Sequence, residues 1–75
     1  MNRIEQLQKK HSWLTTEEAR FVLVTRYWKF SRELGMHGEQ LDAAMDNCVS
    51  IYTKLPEPAM RDMIARFKDQ FITNT

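Results

Sequence analysis

The chain has 75 residues, of which 43% are hydrophobic and 28% charged, and its formal net charge is +1. This length suits one small domain, and the composition is too apolar for a disordered chain. A single cysteine excludes an intramolecular disulfide, and no run of residues is apolar enough for a signal peptide or a membrane span. We therefore expect a soluble cytoplasmic protein.

The first half of the chain predicts a short helix followed by a long one. Residues 3–10 form a thin amphipathic pattern around Ile4 and Leu7, too short to be stable alone. Thr15 and Glu18 have the spacing of a capping box, which marks the start of a second helix over residues 15–34. Gly35 follows as a left-handed stop.

The second helix is apolar over more than half of its circumference. One stripe contains Leu23, Tyr27, Phe30 and Leu34. The other contains Phe21, Val24 and Trp28. Because a helix apolar on two sides needs cover on both, we predict a central helix. The third and fourth helices would cover the first stripe, and the first helix or a second subunit would cover the other.

Two further amphipathic helices complete the prediction. The third, over residues 39–54, has the apolar positions Leu41, Ala44, Met45, Cys48, Ile51, Tyr52 and Leu55. Two prolines end it. The fourth, over residues 58–72, has Met60, Met63, Ile64, Phe67 and Phe71. No run of residues alternates between apolar and polar side chains with period two, so no β-strand is predicted. The sequence predicts a single all-α domain over residues 1–75, a compact bundle of three long helices and a short N-terminal one that forms a dimer.

The residues do not favour an enzyme. His11 and His37 lie in separate predicted connections, and Cys48 lies on an apolar helix stripe, where burial raises the pKa of a thiol. No residues have metal-ligand spacing, and no glycine-rich loop suits a phosphate. We predict no catalytic residue, no metal site and no cofactor.

Nucleic-acid binding is the alternative that the sequence leaves open. Residues 30–45 have the spacing of a helix-turn-helix with Gly35 at the turn. The outward face of its second helix, however, carries the three carboxylates Glu39, Asp42 and Asp46, which repel a polyanion. A separate route is a basic edge of the central helix, made of Arg26, Lys29 and Arg32. These three are the possible nucleic-acid contacts.

Protein binding is the favoured function. Tryptophan is enriched at the energetic centres of interfaces, and Trp13, Phe21, Val24 and Trp28 are the residues that the predicted bundle covers least. We predict a small regulatory or adaptor protein that binds an unidentified protein partner and self-associates as a homodimer through the central helix. A phage or other mobile element is one source to consider for so short a chain.

Residues 51–56, Ile-Tyr-Thr-Lys-Leu-Pro, resemble the end of the third helix in the small Hha-type nucleoid modulators. Those proteins act by binding another DNA-associated protein. The resemblance covers six of the 75 residues, and the upstream spacing departs from that family. It implies a protein-binding function and assigns a role to no individual residue.

Overall fold

Four helices account for most of the chain in a computed structural model, which describes residues 2–73 and the side chains of residues 2–70. They are α1 (Arg3–Lys10), α2 (Thr16–Trp28), α3 (Gly38–Thr53) and α4 (Glu57–Thr73), and a π-helical turn, Lys29–Glu33, continues α2. Residues 2–73 contain no strand, which confirms the all-α class. None of the helices described is both long and apolar enough to cross a membrane.

The predicted start of α2 is confirmed in detail. The Thr15 hydroxyl accepts the backbone N–H of Glu18 at 3.0 Å, and the Glu18 carboxylate accepts the backbone N–H of Thr15 at 3.2 Å. The amide of Thr15 lowers the pKa of Glu18 because it stabilises the charged form. Two of the amides that every helix start leaves unpaired are thus bonded.

The end of α2 departs from a regular α-helix. From Lys29 onward the turn widens, and the backbone N–H of Leu34 donates to the carbonyl of Lys29, five residues back, at 3.1 Å. Gly35 then reverses the chain at φ +68°, a conformation that favours glycine. The predicted stop at Gly35 is confirmed, and the last turn before it is π-helical rather than α-helical.

The core lies where α2, α3 and α4 meet under the end of α1. Its buried members are Leu7, Leu14, Ala19, Val22, Cys48, Val49, Tyr52, Met60, Ile64 and Phe67. From α2 the fully buried residues are Ala19 and Val22, which are three positions apart and small enough to let the helices approach closely. Met45, Met60 and Cys48 are buried, as predicted. Phe71, predicted for the stripe of α4, lies outside the described side chains.

The predicted cover of the first stripe is wrong for two of its four members. Tyr27 and Leu34 are 53% and 57% exposed, while Leu23 and Phe30 are half-buried against the edge of the core. The reason is that α2 faces α3 and α4 with Ala19, Val22 and the stem of Arg26. This contact rotates the predicted stripe towards solvent.

Tyr52 joins α1, α2 and α3 through two hydrogen bonds. Nε2 of the buried His11 donates to the Tyr52 carbonyl at 2.8 Å, and Nε of Arg26 donates to the Tyr52 hydroxyl. The carbonyl lies four residues before Pro56, which has no N–H to continue the helical ladder. Among the described side chains, no buried polar atom lacks a hydrogen-bond partner.

Replacing His11 tests whether this long-range bond stabilises the fold. We expect His11→Ala to lower the free energy of unfolding by about 2–3 kcal/mol, because it removes a buried hydrogen bond and leaves a cavity. Urea denaturation followed by circular dichroism measures the change. Ser12→Ala, at the exposed neighbouring position, is the control and should change stability by less than about 0.5 kcal/mol. Equal stability of the two variants would contradict the structural role of His11.

Stability should also fall at alkaline pH. Burial raises the pKa of Cys48, so the folded chain holds a proton that the unfolded chain releases at about pH 8.5. The stabilisation is complete below that pH and is lost as the pH rises above it. We expect the free energy of unfolding to fall by up to about 1 kcal/mol between pH 8 and 9.5. Urea titrations at each pH measure it.

The matched variant for this pH dependence is Cys48→Ala. It removes the titrating thiol, and it should be less stable at every pH but lose less stability between pH 8 and 9.5. The same slope in both proteins would show that another group is responsible.

Candidate protein-binding surface

Three large apolar side chains of α2 point away from the core. Val24, Tyr27 and Trp28 are 58%, 53% and 57% exposed. Their spacing of three and four residues places them together on one side of the helix. We call this surface the α2 face. Contiguous apolar patches of this kind on a protein surface are often binding sites.

An apolar groove adjoins the α2 face on the side of α1. Its volume is about 460 Å³. The residues that line it come from three helices and from the residue that precedes α1: Asn2, Arg3, Ile4, Leu23, Val24, Tyr27 and Met45. Since Val24 and Tyr27 belong to both, the groove and the α2 face form one continuous apolar surface. α1 covers one flank of α2 and leaves this surface open.

Charged side chains border the α2 face. The guanidinium of Arg32 lies 4.7 Å from the centre of the Trp28 ring, which is a cation–π arrangement. Lys29 pairs with Glu33 at 3.6 Å. An apolar centre with a charged border is the general arrangement of protein interfaces.

The other two predicted interface residues lie elsewhere in the packing. Trp13 is half-buried and contacts α4, where the guanidinium of Arg61 lies 4.1 Å from its ring centre. Its ring also meets the buried His11 edge-on, with 5.7 Å between ring centres. Phe21 is half-buried and packs against the core. The structure therefore brings Val24 and Trp28 together and does not bring Trp13 to them.

The predicted basic edge of the central helix does not form a single cluster. Arg26 is half-buried, bonds to Tyr52 and lies 4.8 Å from the centre of the Phe67 ring. Lys29 is paired with Glu33, and Arg32 lies against Trp28. Of the three residues, Lys29 and Arg32 are exposed, and Arg26 contributes to the packing of α2 on α3 and α4.

The acidic side of α3 is partly occupied by α1. Arg3 contacts the carboxylates of Asp42 and Asp46 at 2.6 and 3.0 Å. These were two of the three outward residues in the helix-turn-helix prediction. Gly35 does lie at the predicted turn, with positive φ. Glu39 is exposed.

The residues considered for catalysis lie in different environments. Cys48 is buried, and burial raises the pKa of its thiol, so the nucleophilic thiolate is disfavoured. His11 is buried and bonded to Tyr52, whereas His37 is exposed at the start of α3. Among residues 2–70, no group of three histidine, cysteine, aspartate or glutamate side chains is placed to hold a metal ion.

The positions of two side chains of α2 were not predicted from the sequence. Tyr27 belongs to the α2 face, and Arg26 faces the core. The signal that could have located the core side of α2 is the pair Ala19 and Val22, three residues apart, which Arg26 extends four residues further along the same side of the helix. Arginine normally indicates a solvent-exposed position, so an arginine at the next core position hides this pattern.

Comparisons with protein-family models, curated proteins and solved structures give no match. The resemblance of residues 51–56 to the Hha-type proteins therefore stays a local one.

Proposed function

We propose that this chain is a small, non-enzymatic regulatory or adaptor protein of the cytoplasm, which acts by binding protein and self-associates through the α2 face. The observation that supports the proposal is the juxtaposition of Val24, Tyr27 and Trp28, each more than half exposed on one side of a helix. The adjoining groove extends this surface.

The energetics favour an occupied α2 face. An aromatic side chain buries about 150–250 Å² when fully covered, so Tyr27 and Trp28 each leave roughly 100 Å² in water. At about 25 cal/mol per Å², covering each one gains roughly 2–3 kcal/mol. Association itself costs several kcal/mol. The gain and the cost are of similar size, so these two side chains alone support a weak and reversible contact.

Truncating Trp28 tests the role of the α2 face. We expect Trp28→Ala to weaken self-association at least tenfold, since tryptophan is the residue type that most often dominates an interface. Sedimentation equilibrium between 5 and 300 µM measures the dissociation constant, and thermal unfolding of the monomer should change little because Trp28 is exposed.

The matched control is Ile51→Ala. Ile51 is 52% exposed and Trp28 is 57% exposed, but Ile51 lies on α3 and outside the groove. It should leave self-association unchanged. A wild-type chain that stays monomeric at 300 µM would contradict self-association, and loss of helical signal in Trp28→Ala at every concentration would show that Trp28 stabilises the monomer instead.

The second candidate function is nucleic-acid binding by a helix-turn-helix. The observation that favours it is the left-handed Gly35 at the predicted turn between α2 and α3. Its contacts would come from the exposed Lys29 and Arg32, with Arg26 held in the core contact. The carboxylates of α3 weigh against it.

A gel shift at increasing salt separates the two candidates. If nucleic acid is the ligand, affinity should fall steeply with salt, and Lys29→Glu with Arg32→Glu should abolish binding. Arg66→Glu is the control, because Arg66 is an exposed cation of α4 that pairs with Asp62. We expect no salt-sensitive shift of the wild-type chain. A shift that only the first pair of substitutions abolishes would support the second candidate.

A further inference from the structure

We propose that the occupant of the α2 face is a second copy of this chain, and that the two α2 helices pair antiparallel about a two-fold axis near Val24. This inference rests on the proposed function, because it uses the same surface. It goes further by assigning the direction of the two helices and the residues that meet.

The charges along α2 are arranged for an antiparallel pair. Glu17, seven residues before Val24, is exposed, and Arg32, eight residues after it, is exposed as well. At about 1.5 Å per residue Glu17 lies roughly 10 Å from Val24 in one direction, and Arg32, which is part of the π-helical turn, lies at most about 12 Å from it in the other. A two-fold axis at Val24 therefore brings Glu17 of one copy beside Arg32 of the other, twice per dimer.

The position of Arg32 supports this pairing. Its guanidinium lies over the Trp28 ring, which keeps the positive charge at the border of the α2 face. Glu17 and Val24 are two helical turns apart, so the carboxylate follows the same side of the helix. The opposite charges thus stand at the two ends of one apolar surface.

A parallel pair would be unfavourable. It places Glu17 against Glu17 and Arg32 against Arg32, and it aligns the two helix dipoles side by side in the same direction. Antiparallel pairing instead joins Glu17 to Arg32 and sets the two helix dipoles in opposite directions. A two-fold dimer is also the commonest arrangement in which one surface of a protein binds the same surface of a second copy.

The size of the surface fits a reversible dimer. A standard interface removes about 800 Å² from each partner, which is about 15% of the 5381 Å² of this chain. The α2 face and its groove form only part of such an area. We therefore expect dissociation constants in the micromolar range, within reach of sedimentation equilibrium.

Charge exchange between the two ends of α2 tests the geometry. In an antiparallel dimer, Glu17→Arg places two arginines together at each end, and Arg32→Glu places two glutamates together. Each variant alone should dimerise about tenfold more weakly than the wild type. An equimolar mixture of the two should dimerise about as well as the wild type, because each contact again joins opposite charges.

Two controls accompany the exchange. The double variant Glu17→Arg/Arg32→Glu should regain wild-type dimerisation. Glu39→Arg reverses an acidic residue in the first turn of α3, outside the α2 face, and should leave dimerisation unchanged. Thermal unfolding of each monomer shows whether loss of an acidic residue from a helix start has altered the fold.

The outcomes separate this inference from the proposed function. If the wild type dimerises and Trp28→Ala prevents it, but the charge variants dimerise as the wild type does, the α2 face is the interface and the antiparallel register is wrong. If the wild type stays monomeric at 300 µM, self-association itself is wrong. Weak single variants with a restored mixture would support the register.

Discussion

The hydrogen bond from His11 to the Tyr52 carbonyl is the constraint on which the arrangement of helices depends. Tyr52 lies in the last turn of α3, where Pro56 cannot supply the α-helical amide and the N–H of Leu55 donates to the Tyr52 carbonyl at 3.2 Å instead. His11 ends α1 and directs a buried ring nitrogen at that carbonyl. A carbonyl only accepts, so Nε2 carries the proton. The start of the chain is thereby attached to the end of α3.

The other end of Tyr52 determines which side of α2 faces inward. Its hydroxyl accepts Arg26, whose guanidinium also lies against Phe67 of α4. A cation can approach the core here because one donor is bonded and two aromatic rings surround it. With Ala19, Val22 and Arg26 turned inward, the aromatic residues on the other side of α2 have no remaining helix to cover them. The exposed α2 face thus follows from the way the core is built.

Much of the fold could be predicted from the sequence, because its signals are local. The capping box at Thr15, the glycine stop at Gly35 and the prolines after α3 each fix a helix boundary through the chemistry of a few neighbouring residues. The rotation of α2 could not be predicted. It depends on a contact between Arg26 and Tyr52, 26 residues apart, and a hydrophobic pattern cannot show that an arginine is a core residue. For the candidate surface, the sequence pattern identified Val24 and Trp28. The pattern placed Tyr27 in the core, and it grouped Trp13 with interface residues that Trp13 does not contact.

The π-helical turn Lys29–Glu33 has a consequence for how related chains could differ. A turn closed by a bond to the fifth residue holds one more residue than an α turn, so it is equivalent to a single-residue insertion into a regular helix. A homologue lacking one residue there would keep α2 intact up to Trp28 and continue it as a regular α-helix, with the residues equivalent to Arg32 and Leu34 facing nearly the same direction around the helix axis. Deletion of one codon at this point would then leave both the border of the exposed surface and the core contacts of Ala19, Val22 and Arg26 as they are.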